Sequence, residues 1–205
     1  MLSTGNEALA EQPAAAPATA PTRPVARMNA RISAYVIDSI VLLAFILVFF
    51  VIGSSILLFT SDFGEGDPPD WAYYAWVSVF VGGALLSWSV FNLAIMRWRG
   101  QSTGMYVVGI RAVSDRPMTL GRHLLRWFGL HPLLFHPLLL PVWAIMSFML
   151  VSLTLNSAVL AVTLALVFLC IASPVAALLT MFFDAERRAL HDRLAGTHVI
   201  HLDEP

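Results

Sequence analysis

The chain contains no lysine and a single cysteine, Cys170. Only 12% of its 205 residues are charged, against 58% that are apolar. Soluble domains carry roughly 25% charged residues, so the shortage excludes an ordinary water-facing surface. One cysteine excludes an internal disulfide, and Cys170 reads as a small buried hydrophobe within an apolar run. The net charge of −1 leaves no global basic field, so no nucleic-acid partner is expected. Residues 1–26 lack a basic start followed by an apolar segment, so they do not read as a signal peptide. Their Ala, Pro and Thr composition predicts a disordered tail. The sequence also lacks a phosphate-binding glycine loop, a serine nucleophile elbow and a clustered Cys/His set. His191, His198 and His201 lie near Asp192, but an odd separation places His198 and His201 on opposite faces of a strand. That spacing is poor for shared metal ligation. No cofactor, metal or enzymatic activity is expected.

What the chain has instead is long apolar runs, with a mean hydropathy of +0.75. A hydrocarbon layer ~30 Å thick needs about 20 helical residues. Residues 33–59 satisfy that, as do residues 71–96, whose start carries Trp71, Tyr73, Tyr74 and Trp76 as an aromatic girdle. Residues 128–183 form an apolar block too long for one crossing, interrupted by "SLTLNS" at 152–157. The block predicts a third span over 133–151, with a Pro-rich start, and a fourth over 158–183, kinked at Pro174. Lipid is thus the first expected partner.

Arginine placement orients the spans. Arg23, Arg27 and Arg31 precede the first span, six Arg lie between the second and third, and Arg187, Arg188 and Arg193 follow the fourth. Four spans put all twelve on one side, which the positive-inside rule assigns to the cytoplasm. The expected object is an all-α membrane protein: four transmembrane helices in a bundle in the inner membrane, both termini cytoplasmic. Residues 97–127 form its basic cytoplasmic loop and 184–202 a C-terminal helix and strand. Within the loop, a helical turn over 103–108 leads into an extended "GIRAVS", and Thr119 is placed to cap a helix starting at Leu120. "IRAV" and "HVIH" are expected to pair, because two lone strands leave their edges bare.

Three stretches then align with a known pattern: "RISAYVID", "GQSTGMYVVGIRAV" and "LHDRLAGT". In that order they resemble the RDD family of bacterial membrane proteins, named for one Arg and two Asp. The resemblance covers about residues 27–202 and implies that Arg31 is the family's Arg, with Asp38 and Asp192 as its two Asp. It also implies a role in moving ions or small solutes.

A carboxylate at Asp38, just inside an apolar run, is costly unless it is paired. Arg31, seven positions earlier, lies on the same helical face but ~10 Å away along the axis. Arg126 or Arg111 is the better expected partner, and Asn92 can turn toward Asp38 from the adjacent span. Asp38 reads as an ion-handling group, a structural lock or part of a protein interface. Asp192 and Arg193 read as a gate joined to the Asp38 network, or as helix-docking residues. Ser78, Gly82, Gly83 and Ser87 give the second span a small-residue face for close helix packing. His131 and His136 read as interfacial anchors or a polar entry to the third span, and Arg187 and Arg188 as holders of lipid headgroups. The expected function is transport of an ion or small solute, with a homo-oligomer fitting the thinness of a four-helix wall. The alternative is an accessory or scaffold subunit that docks a cytoplasmic or membrane partner through the basic face.

Overall fold

The computed structural model describes residues 24–114 and 116–202. Helix α1 runs Met28–Thr60, starting a turn earlier than the apolar run, so that Arg31 lies within it. A short turn at Asp62–Gly64, with Ser61 Oγ accepting the Gly64 N–H, reverses the chain. The second span is built from α2 (Asp70–Val77) and α3 (Ala84–Arg99), joined by a wider π-helical turn over Ser78–Gly83. At Gly83 the ring of Phe49 in α1 occupies the place a Cβ would take, so this glycine does serve close approach; Gly82 faces open space. Short α4 (Thr103–Val108), β1 (Ile110–Val113) and α5 (Leu120–Phe128) follow.

The third span differs from expectation. Residues 129–136 are irregular, and α6 covers Leu140–Thr154 after a tight turn at Pro137–Leu139. Pro132 and Pro137 supply no backbone N–H and disfavour helix in the residue before them, so the helix starts late. Helix α7 spans Ser157–Phe183, with Asn156 as its side-chain cap and Pro174 inside it. In all, four helical segments among the described residues are long and apolar enough to cross a membrane. Many of their large apolar side chains are exposed, among them Val51 and Phe59 on α1 and Phe168 and Phe182 on α7. Water would penalise that surface and a hydrocarbon solvent would not.

The C-terminal helix is shorter than the sequence pattern suggests. Helix α8 covers only Leu190–Ala195. Residues 184–189 instead turn tightly, with Arg187 at φ 53° and Asp184 Oδ2 accepting the Arg188 N–H at 2.7 Å. Gly196 (φ 62°) stops α8 and leads into β2, His198–His201. The expected pairing is present: β1 and β2 are antiparallel, with Ile110 opposite His201 and Val113 opposite His198. Of the segment read as a tail, residues 1–23 lie outside the described residues. Its last three are structured, because Pro24, Val25 and Ala26 bond along β2 through Pro24 O to His201 N and Ala26 N to Val199 O.

Away from the Arg-bearing end, the space between α1 and the second span is filled by Leu42, Phe45, Phe49, Phe80 and Trp88. Helix α7 packs on α6 and α8, and α4 lies along α1. Between α1 and α7, at the Arg-bearing end, the packing is incomplete.

Candidate functional site

Asp38 is almost wholly buried on α1, yet no cation among the described residues pairs with it. Its Oδ1 accepts the Gly104 backbone N–H at 2.7 Å, and its Oδ2 accepts the Ser102 hydroxyl at 2.5 Å. Ser102 Oγ in turn accepts the Met105 N–H. The first turn of α4 has N–H groups that no helical carbonyl can satisfy. Asp38 and Ser102 satisfy two of them in a place with little water, and the negative charge suits a helix N-terminus. Gly104 is required here: a Cβ would collide with the Ala34 carbonyl of α1. The carboxylate is thus a clamp that holds α4 against α1. This corrects the expectation of an Arg126 or Arg111 partner. Asn92 does not join it either; its side-chain amide donates to Trp88 O within its own helix.

Asp192, on α8, is the carboxylate that gathers the arginines. Arg126 of α5 places Nε 3.1 Å and Nη2 2.9 Å from Oδ1, and Arg31 of α1 places Nη1 3.2 Å from Oδ2. The Thr197 hydroxyl also donates to Oδ1, at 3.1 Å. All three charged groups are buried. One carboxylate against two guanidiniums leaves an excess positive charge. Burial alone would raise the Asp192 carboxyl, but neighbouring cations and the Thr197 hydrogen bond hold it at about 2. His191 contributes only once protonated; its own burial lowers it to about 4, against the pull of Asp192. At neutral pH the two guanidiniums therefore do the holding. Arg193, grouped with Asp192 by sequence, points elsewhere and binds Asp184 at the surface, Nη2 to Oδ1 2.8 Å.

His131 and His191 meet without any local pattern that foretells it, their ring centroids 4.3 Å apart. Burial, then His191 and Arg126, hold His131 well below its ordinary value, so it is neutral. Its Nδ1 accepts the Leu133 N–H, which puts the ring proton on Nε2. That N–H is buried without a partner, as are Nε and Nη2 of Arg31. His136 is satisfied in the same way at Nδ1, by the Leu138 N–H, and its Nε2 meets Ser39 Oγ at 2.8 Å. It anchors the start of the third span on α1.

Arg31 and His131 both line a cavity of about 310 Å³, with Asp38, Ser102, His191 and Asp192 also on its wall. Apolar side chains complete it, among them Leu133, Pro174, Ala177 and Met181, and Tyr35 lines it with a hydroxyl buried without a partner. Of its lining residues only Ile32 and Leu178 are exposed, which places the mouth between α1 and α7. No group of three or more His, Cys, Asp or Glu side chains suited to a metal occurs among the described residues. Serine, glycine and threonine partners such as Ser102, Gly104 and Thr197 could have been sought from their places before or after short helices. The His pair carries no such signal.

Four apolar helical segments long enough to cross a membrane, with a buried charge cluster joining α1, α5 and α8, are what a membrane protein needs. The chain belongs to the RDD family, whose family model matches residues 25–196. The three positions of the motif stand in this structure as one pair and one clamp: Arg31 with Asp192, and Asp38 with α4. No curated protein and no solved structure matches the chain.

Proposed function

We propose that the chain is a multi-pass inner-membrane protein, with its arginine-rich face and both termini in the cytoplasm, that transports an ion or small solute. The observation carrying this reading is the 310 Å³ cavity, whose lining residues Arg31, Tyr35, His131 and His191 carry buried polar atoms without hydrogen-bond partners. Unpaired buried donors are costly, and a bound solute removes that cost. The cavity lies within the ~300–1,000 Å³ range of small-molecule sites. The placement of all twelve arginines supports the orientation. The site has moved from where the sequence placed it: the working polar centre is Arg31 with the His131–His191 pair, and Asp38 is a packing element beside it. Because aromatic side chains fill the interior beyond Asp38, full passage requires α7 to move or a second copy of the chain to complete the path.

A second reading has one observation in its favour. A sealed Asp38 that docks α4 is what an accessory or scaffold subunit needs to present a rigid basic face to a partner. Chemistry is the weakest reading. Both carboxylates near the cavity have their oxygens tied to Arg, Thr, Ser or backbone donors, so neither is free to act as a base. We take the chain to be non-enzymatic.

Flux into proteoliposomes loaded with pH- and sodium-sensitive dyes, extended to a panel of labelled small anions, tests the transport reading. Wild-type protein should give flux that His131→Gln reduces and Arg193→Gln leaves unchanged. Absence of flux for every ion and solute, with the chain folded, would move the weight to the scaffold.

A further inference from the structure

The donors around the cavity specify more than a generic solute. Among its lining residues, Arg31 Nε–H and Nη2–H and His131 Nε2–H are buried without acceptors, the Tyr35 hydroxyl and His191 Nδ1 are buried without partners, and Asp192 neutralises only one of the two buried guanidiniums. These donors and a surplus positive charge call for an anion with several acceptor oxygens, which a guanidinium fork matches. The other charged group on the wall, the Asp38 carboxylate, has both oxygens engaged by Ser102 and Gly104. Leu133, Pro174, Ala177 and Met181 give the wall an apolar side. Its mouth is flanked by Ile32, 43% exposed, and Leu178, 45% exposed, on the first and last spanning helices. A hydrated inorganic anion gains nothing from that apolar slot, whereas a hydrocarbon tail does.

Resting on the reading of this cavity as a ligand site, we propose that it takes an amphiphile with one acyl chain and a carboxylate or phosphate headgroup. The ligand enters sideways from the membrane. Its headgroup meets Arg31 and His131, and its chain lies between α1 and α7. The volume, at the low end of small-molecule pockets, suits one chain rather than two.

The test uses the full chain in phosphatidylcholine nanodiscs with a diazirine-bearing hexadecanoate, the matching neutral alcohol and inorganic phosphate. Photolabelled peptides are mapped by mass spectrometry, and Arg31 protection from phenylglyoxal is measured alongside. The carboxylate should label the segments around Ile32 and Ala177–Met181 and protect Arg31, with the alcohol roughly tenfold weaker, the loss expected for a charged hydrogen bond. Arg31→Gln should lower labelling by a similar factor. Because that variant also loosens the Asp192 cluster, Leu178→Trp serves as the second, narrowing the mouth while leaving the ion pairs intact; it should lose labelling at an unchanged melting temperature. Equal labelling by the alcohol, or labels spread over the lipid-facing surface, overturns the proposal. Protection of Arg31 by phosphate but not by hexadecanoate overturns the acyl ligand and keeps the cavity as a site for a free small anion. No protection by either probe and no labelling overturns both.

Discussion

The Asp38 carboxylate accepts the Gly104 backbone N–H at 2.7 Å across 66 positions of sequence, and this bond fixes how the basic loop meets the first helix. It explains why an acid tolerates the edge of an apolar helix: the cost of burial is offset by donors that would otherwise be unsatisfied.

Asp38→Asn and Asp38→Leu should therefore differ. Asn retains an oxygen for Gly104, and the substitution should cost on the order of 1 kcal/mol. Leu leaves the Gly104 N–H buried and unmatched, at about 1–3 kcal/mol. Both variants should still insert, since each makes the helix less charged. Protease sensitivity of residues 97–127, measured with thermal unfolding in detergent, should rise in the order wild type, Asn, Leu. Equal behaviour of the two variants would contradict the clamp.

Gly104→Ala should be worse than its size suggests. The new methyl meets the Ala34 backbone carbonyl, which cannot rotate away as a side-chain tip can. Loss of α4 docking, of about 1–3 kcal/mol for an overpacked site, should appear as the same loop sensitivity that Asp38→Leu shows. Gly82→Ala, which meets open space, should be silent.

The Asp192 cluster predicts an asymmetry among its members. Asp192→Asn leaves two buried guanidiniums unneutralised and should cost about 3–5 kcal/mol. Arg31→Gln leaves Asp192 still held by Arg126 and should cost less. Arg193→Gln removes a pair in which the arginine side chain is 44% exposed, worth about 0–1 kcal/mol. Melting temperatures of the three variants should rise in that order, with Asp192→Asn lowest.

Acid should weaken the fold in two stages. His191 has a folded-state value of about 4, below its ordinary 6.5, so proton uptake favours the unfolded chain as pH falls from 6.5 toward 4. His131 acts in the same direction. Asp192, held at about 2 against 3.8, contributes stability that is complete above 3.8 and lost as pH falls toward 2. The groups facing the pair are Arg31, Arg126 and Asp192. A thermal-unfolding series from pH 8 to 3 should decline below pH 6.5, and His191→Gln should flatten the part between 6.5 and 4. A profile that is flat in wild type over that interval would contradict the buried, neutral pair.

Much of the architecture was legible because it rests on local pattern. Apolar length marked the four spans, and the β1–β2 pairing followed from two short strands with bare edges. Residues 103–108 read as a helical turn, and α4 covers Thr103–Val108. The site was less legible, because its partners are set by approach of distant elements. Arg31 and Asp192 were named through the family motif, but nothing local says that Arg126 turns to Asp192 rather than Asp38. Arg193, adjacent to Asp192, sits on another face of a six-residue helix and finds Asp184. The His131–His191 contact arises because Pro132 and Pro137 delay α6 and leave residues 129–136 free to fold back on α8, a tertiary consequence that periodicity does not encode.

The cavity beside Arg31 has its mouth between α1 and α7 at the arginine-bearing end, and Leu42, Phe45, Phe49, Phe80 and Trp88 fill the space between α1 and the second span beyond it. A chain carrying Cys170→Ala and Ala177→Cys has one thiol, on the cavity wall. Its reaction with a charged methanethiosulfonate should be measured in membrane vesicles of both orientations. Modification is expected from the arginine-bearing side, slowed by Leu178→Trp. Modification only from the side bearing Asp62 and Asp70, or from neither side, would contradict it.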